Sequence, residues 1–527
     1  MTVERTYLGR PVTTGIVIAP LHVLETDLEN GTLVVPLDQA IALAKAEIAA
    51  LVSDTDDIAG DILEFQQALL DDEEIQKMLA DALSKGQAAD VAWKTVLNCE
   101  IASYKMMDDK LLASRADDLI DLRDRVLRIA YGKSATDQTF KKQTLIFAKE
   151  MTPSQFISID WSLGHGLVIG NGSPTSHVSI LARAWGVPLM IGTTSFTETG
   201  SEGKAILDLE DGTLVVNPSR EKLDLACEHL KAHQAKIQKY KDKELTKAKT
   251  KDGTEIDVLV NIDTPLTLGH LSAESCDGIG LTRTEFLFAD ALHDEESQYA
   301  FYAKLIEWAG DKPVTIRTLD AGGDKPIPGI TLDEENPFLG VRGIRLLLLK
   351  QDIFRIQVRA LIRAAALGDL RVLLPMVTVP SELDEVRKLF VEEVTKLQAK
   401  GVECTIPPIG IMVEIPATAL TVAAFDADFF SIGSNDLTQY VTACSRDNIN
   451  MVQLSERALD AVWQLVSLIV EAGKQKNIPV SICGDMASSP EFIEKLLKQG
   501  IRSFSCASAQ IGAVKHAITK VKLGKGE

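Results

Sequence analysis

Residues 408–415, PIGIMVEI, and 429–436, FFSIGSND, are two short apolar runs, each with a carboxylate, Glu414 or Asp436, in its last two positions. Neither alternates polar with apolar side chains, so each is expected to be a strand buried on both faces, as in a parallel sheet covered by helices. The same rhythm extends outward from them. Upstream stand IDVLVNI (256–262), DGIGLTR (277–283), VTIRTLD (314–320) and RVLLPM (371–376); downstream stand VSICGDM (480–486) and SFSCAS (503–508). A helical stretch follows each run. Eight such units from Lys251 onward are the grammar of a (β/α)8 TIM barrel. No run is followed by a dinucleotide fingerprint, because TLDAGGDK (318–325) lacks its spacing and its helix.

In such a barrel the C-terminal strand ends build the active site. Here they bring Asn261, Arg283, Arg317, Met376, Glu414, Asn435 with Asp436, Cys483 and Ser508. Two arginines can grip a phosphate or carboxylate bidentately. Glu414 and Asp436 can share one Mg²⁺, which takes one or two carboxylates plus substrate oxygens. Cys483 can carry a proton. Arg446, in TACSRDN, adds a third cation. Taken singly, each has an ordinary structural reading: a surface ion pair, a helix cap, a small buried hydrophobe. Their joint occurrence at consecutive strand ends points to Mg²⁺-assisted handling of a small phosphorylated carboxylic acid.

The N-terminal half has another texture. YLGRPVTTGIVIAPLHVLE (7–25) reads as strand, glycine turn and strand, and the chain is then helical from about Asp38 to Gly132. Strands return in TLIFAKE, GLVIGN, VPLMIGT and KAILDLEDGTLVVNP, so the helical block is expected to be an insertion within one α/β unit. A lysine-rich, weakly apolar segment (219–249) suits a linker helix. Within the α/β unit, NGSPTSHVSILARAWGVPLMIGT (171–193) places His177 in the first turn of a helix capped by Thr175 or Ser176. That end of a helix favours negative charge. A packing histidine is the ordinary alternative. Hydrolase chemistry with Ser176 fits poorly because neighbouring helical side chains diverge, and a metal site would need further ligands. What remains for chemistry is an imidazole that accepts a phosphoryl group.

A net charge of −20 disfavours nucleic acid as a partner. The seven cysteines form no CxxC pair and fit neither a disulfide framework nor a zinc site. The start has no apolar signal core and no run reaches membrane-spanning length, so a cytoplasmic protein with no membrane insertion is expected.

The motifs TSHVSILAR, GIGLTRTEFLF, TLDAGGDK, ENPFLGVRGIR, VEIPA, FFSIGSNDLTQY and ICGDMA, in that order, resemble those of the Enzyme I family of the bacterial sugar phosphotransferase system. These are phosphoenolpyruvate–protein phosphotransferases, and the likeness spans nearly the whole chain. It implies an α/β fold: a swivelling phosphohistidine domain (1–36 and 134–220), an inserted helical domain (37–133) that binds the phosphocarrier protein HPr, a linker helix (221–250) and a phosphoenolpyruvate-binding TIM barrel (251–527). It also implies roles. His177 would be phosphorylated on Nε2 and pass the group to HPr. Arg283, Arg317, Asn435, Asp436 and Arg446 would bind phosphoenolpyruvate, Glu414 and Asp436 would ligate Mg²⁺, and Cys483 would protonate the enol to give pyruvate.

The chain departs from the family pattern in places. GSPTSH (172–177) stands where two glycines and an arginine are common, Ile120 where arginine is frequent, Gln66 where histidine is common, and Thr282 where tyrosine is frequent. About twenty residues follow the eighth strand, where the family has a longer helical tail, which sets the homodimer implied through the barrel against a shortened C-terminus. Phosphoenolpyruvate synthases and pyruvate phosphate dikinases share the histidine domain and barrel, but no region here is free to supply their ATP-binding domain.

Overall fold

The computed structural model describes residues 4–24, 33–54, 65–105, 115–133, 140, 142–173, 176–193, 196, 203–262, 268, 271–285, 291–323, 325–327, 329–445 and 451–524. The chain divides into two compact units, Met1–Lys236 and Ile237–Glu527.

The first unit holds a sheet in the order β1-β8-β7-β3-β4-β5-β6-β2. Its strands are β1 (Arg5–Leu8), β2 (Arg10–Pro11), β3 (Ile16–Leu24), β4 (Leu145–Ala148), β5 (Gly166–Ile169), β6 (Leu189–Ile191), β7 (Lys204–Asp208) and β8 (Thr213–Val216). β3 through β6 run parallel, and the flanking pairs are antiparallel. The parallel strands β4, β5 and β6 are buried throughout, as continuous apolar runs require. All the helical-block elements, α1 (Leu37–Asp54), α2 (Glu73–Ser84), α3 (Ala89–Lys105) and α4 (Ala116–Ala130), lie between β3 and β4 in sequence, so the block is an insertion into the sheet. It has its own core around Trp93, Leu97, Leu119 and Leu122. A short helix α5 (Pro153–Ile157), closed by a Thr152–Gln155 capping box, abuts α4.

Helix α6 (His177–Ala184) crosses over from β5 to β6. Ser176 is its cap, accepting a hydrogen bond from Ser179 N, and His177 is its first residue. Val178, Leu181 and Ala182 bury its inner face, which leaves His177 at the carboxyl end of the parallel strands. That is where ligands gather in open α/β sheets.

Helix α7 (Arg220–Glu244) is exposed along its length, with Ala226 its only buried residue. It is followed by β9 (Ala248–Lys249), which pairs antiparallel with β10. The second unit is a closed barrel of parallel strands β10 (Glu255–Ile262), β11 (Ile279–Thr282), β12 (Val314–Arg317), β13 (Leu370–Leu374), β14 (Ile409–Val413), β15 (Phe430–Gly433), β16 (Val480–Cys483) and β17 (Ser503–Cys506). β10 pairs with both β17 and β11, which closes the ring. Each of the eight expected strands is present. Among the described residues, no helix is long and apolar enough to cross a membrane.

Candidate active site

Because all eight strands run in one direction, their last residues share one rim. Arg317 and Cys483 end β12 and β16, Arg283 and Glu414 directly follow β11 and β14, and Asn435 and Asp436 open the helix Ser434–Thr442 after β15. Asn261 lies inside the end of β10 and accepts a hydrogen bond from Ser505 Oγ at 2.6 Å. Met376 lies two residues beyond β13 with φ of 59°, and its N–H donates to Glu414 at 2.7 Å. Ser508 opens a 3₁₀ turn beyond β17 and makes no side-chain hydrogen bond to this group. Arg446 lies outside the described residues.

Arg317, Arg342 and Lys325 are already matched by carboxylates. Arg317, 4% exposed, bonds Glu285 and lies 3.1 Å from Asp320. Arg342 bonds both oxygens of Asp320 at 3.0 Å and reaches Asp436 at 3.2 Å and 3.3 Å. Lys325 joins Glu285 at 2.6 Å. Burial alone would raise the Asp320 carboxyl, but Arg317, Arg342 and Lys325 outweigh it and hold the group well below the usual carboxylate range. Glu285 is lowered in the same way, burial being overcome by Arg317 and Lys325. Glu285 Oε2 and Arg317 Nε are buried with no partner among the described residues.

Glu414 is placed differently. It is buried, and that burial, reinforced by repulsion from Asp436 and then Asp320, pushes its carboxyl up to about 8. Like charges forced together in buried space are the arrangement a divalent cation relieves, so Glu414 and Asp436 fit a Mg²⁺ site. Gly433 makes this approach possible, since a Cβ there would lie 2.8 Å from Glu414 Oε2. No cluster of three or more His, Cys, Asp or Glu ligands occurs among the described residues, so Mg²⁺ would need substrate oxygens to complete its shell.

Cys483 lies inside the barrel with its thiol donating to Ile432 O at 3.4 Å. Burial, beyond the opposing hydrogen bond from Ser431, pushes the thiol up to about 11, so it is protonated at neutral pH. Gly484, at φ of 87°, lets the Asp485 N–H reach Asn435 Oδ1 at 2.7 Å. The Asn435 amide therefore presents its NH₂ end elsewhere, as a donor.

In the first unit, His177 Nδ1 lies 3.0 Å from Asp118 Oδ1. Asp118 belongs to α4 of the helical block and is fully buried, while the His177 side chain is 14% exposed. Around this pair, Gln66 donates to Asp118 O and to Asp121, and Asp121 in turn bonds Ser154 of α5. Gln66, which stands where the resemblance leads one to expect histidine, is thus a buried tie between segments.

Sequence reasoning passed over Asp118, Glu285, Asp320, Lys325 and Arg342 as individuals. All but Glu285 and Asp118 sit in TLDAGGDK and ENPFLGVRGIR; those two sit in GIGLTRTEFLF and RADDLIDLRD. The charged letters inside these four stretches were the available signal.

Residues 236–523 match the family model described as PEP-utilising enzyme, PEP-binding domain. Residues 8–115 match PEP-utilising enzyme, N-terminal, and residues 140–213 match PEP-utilising enzyme, mobile domain. The chain is 36% identical over 465 residues to a phosphoenolpyruvate-protein phosphotransferase of Haloferax volcanii, covering 86% of this chain and 80% of that protein. It is 33% identical over 530 residues to that of Geobacillus stearothermophilus, covering 96% and 92%. With the Staphylococcus aureus protein of the same name it shares 34% identity over 502 residues, covering 92% and 87%.

Proposed function

Because this chain belongs to the phosphoenolpyruvate–protein phosphotransferase family, we propose that it moves the phosphoryl group of phosphoenolpyruvate onto His177 Nε2, releases pyruvate, and passes the group to a histidine of HPr. The observation that carries this reading is the buried set of arginines and carboxylates at the barrel rim, with a protonated thiol beside it.

In this mechanism Arg283, Arg317, Asn435 and Arg446 bind the phosphate and carboxylate of the substrate. Arg342 and Lys325, braced by Asp320 and Glu285, keep that cationic surface rigid, so little reorganisation is required when charge moves. Mg²⁺ held by Glu414 and Asp436 would supply charge neutralisation at the phosphoryl oxygens. Phosphoryl transfer demands chiefly positioning and electrostatics, and both are preset by these pairs. The enolpyruvate left behind needs a proton on carbon. Cys483 can give it because burial keeps the sulfur protonated. The histidine domain swivels between barrel and carrier, with the lysine-rich linker as the joint, since both must reach one imidazole. The enzyme works in the cytoplasm at the head of a sugar-transport relay, and it pairs with a second copy through the barrel.

The deciding experiment incubates the protein with Mg²⁺ and labelled phosphoenolpyruvate, comparing wild type with His177→Ala. Acid-labile, base-stable label on wild type alone is expected, and it should move to added HPr. Label on the His177→Ala protein would refute the assignment. In a second test, an engineered crosslink between histidine domain and barrel should stop delivery to HPr; undiminished delivery would remove the swivel.

A further inference from the structure

We infer that Asp118, from the inserted helical block, is a positioning residue for phosphoryl transfer: it holds the imidazole proton of His177 on Nδ1 and leaves Nε2 as the nucleophile. This rests on His177 being the phosphorylated residue. The geometry is direct. Asp118 Oδ1 lies 3.0 Å from His177 Nδ1, and the carboxylate is fully buried. A carboxylate can only accept, so a lone pair on Nδ1 would face it unfavourably, and the neutral ring compatible with this contact carries Nδ1–H. Nε2 makes no hydrogen bond to any described residue.

Asp118 is itself held in place. Arg115 reaches its other oxygen at 3.2 Å, and the Gln66 amide donates to its backbone carbonyl at 3.3 Å. The Arg115 guanidinium is packed over the Phe65 ring, 4.7 Å from its centroid. A residue pinned on both its backbone and its second oxygen has little freedom to turn away from the histidine.

The chemistry explains why the proton's place matters. In the forward step the Nε2 lone pair forms the N–P bond as the P–O bond to the enol oxygen breaks, and that electron pair leaves with the enolate. The ring keeps Nδ1–H and becomes cationic, and Asp118 offsets the charge. When the group departs, the N–P electron pair returns to Nε2 and the leaving group is neutral imidazole. Without Nδ1–H it would be imidazolate, a far poorer leaving group. The arrangement follows the logic by which a buried carboxylate fixes a histidine tautomer in acyl transfer. The carboxylate comes from the block proposed to receive the carrier, so the docking element itself would determine the ring's protonation.

The alternative is a contact that merely pins α4 against the sheet domain. Asp118→Ala and Asp118→Asn separate the two, with ¹⁵N-histidine spectra recorded at a pH where the ring is neutral. The wild-type ring should show the Nδ1–H tautomer, and Asp118→Ala should relax it to a mixture while slowing labelling by phosphoenolpyruvate about 100-fold. Asp118→Asn keeps the shape but has one acceptor oxygen, which Arg115 claims, so its NH₂ turns to Nδ1; it should drive the ring to the Nε2–H tautomer and slow labelling at least about 100-fold. If Asp118→Ala does not fold, the near-isosteric Asn variant decides. A wild-type Nε2–H tautomer, or Asn and Ala variants that label at the wild-type rate, would overturn the inference. Label surviving His177→Ala would instead remove the assignment beneath it, whatever the spectra show.

Discussion

Cys483 is buried, whereas Cys99 and Cys227 are exposed. With its thiol pushed up to about 11 by burial, a much smaller share is thiolate at pH 8 than for a cysteine at the ordinary value of 9.0. Alkylation at pH 8 should therefore be at least about 100-fold slower at Cys483 than at Cys99 or Cys227, as read by mass spectrometry of the modified peptides. The sign is fixed by the raised value: the protonated form is favoured, and proton donation fades only as pH climbs toward 11. Fast labelling of Cys483 would count against its role as a proton donor. A second expectation concerns Gly433. An added methyl would meet Glu414 Oε2 at 2.8 Å and Met412 Cγ at 3.0 Å, so Gly433→Ala should displace the carboxylate. Turnover should fall about 100-fold in a barrel that keeps its circular dichroism; an unaffected rate would show that Glu414 tolerates the shift. At this scale the sequence was legible wherever the barrel rule applied, because a strand's last residue needs no partner to be located. Asp320 and Arg342 were not, since what gives them meaning is pairing across the rim; Arg342 and Asp436 are 94 positions apart. Asp118 was hidden for the same reason, 59 positions from His177.

The elements show the same division between local and remote signals. The start of α6 was readable to within one residue, the cap being Thr175 or Ser176 in the sequence and Ser176 in the structure, and the exposed character of α7 was readable from its lysines. How α7 ends was not. Its last residue, Glu244, is capped by Lys515, whose buried ammonium donates to Glu244 O and Ser275 O at 2.7 Å each. Tyr240 leans on His516, their rings 5.6 Å apart, and its backbone fills the space beside Gly512. A Cβ at Gly512 would fall 2.5 Å from Tyr240 O, which is backbone and cannot rotate aside. Gly512→Ala should therefore cost about 1–3 kcal/mol in the barrel's denaturant unfolding. Lys515→Met, which strips two carbonyls of their donor, should cost a similar amount, about 1–3 kcal/mol. No change in either midpoint would show that the end of α7 is not anchored there.

For the molecule as a whole, the boundary between compact units falls at Lys236–Ile237, inside α7 rather than in a loop. Each unit has its own core, that of the barrel assembled from both faces of its strands and the helices around them. Units with separate cores can melt in separate transitions. Scanning calorimetry of the intact chain should resolve at least two transitions. In the His177→Ala protein, which cannot take the phosphoryl group, phosphoenolpyruvate with Mg²⁺ should raise only one, by about 2.7 kcal/mol when the ligand stands at 100 times its Kd. A uniform rise of every transition would mean that the substrate is bound by both units.

The matched charges at the barrel rim also bear on what the site refuses. Among the described residues, Arg317, Lys325 and Arg342 pair with Glu285, Asp320 and Asp436, three of each sign, while Glu414 beside them is held protonated by its burial. A bare sulfate or phosphate ion would enter such a place only by breaking existing pairs and leaving surplus negative charge out of water. A trianion that brings its own divalent companion adds far less. Selectivity for the complete substrate over the common small anions of a cell would then come from electroneutrality, without any group shaped to exclude them.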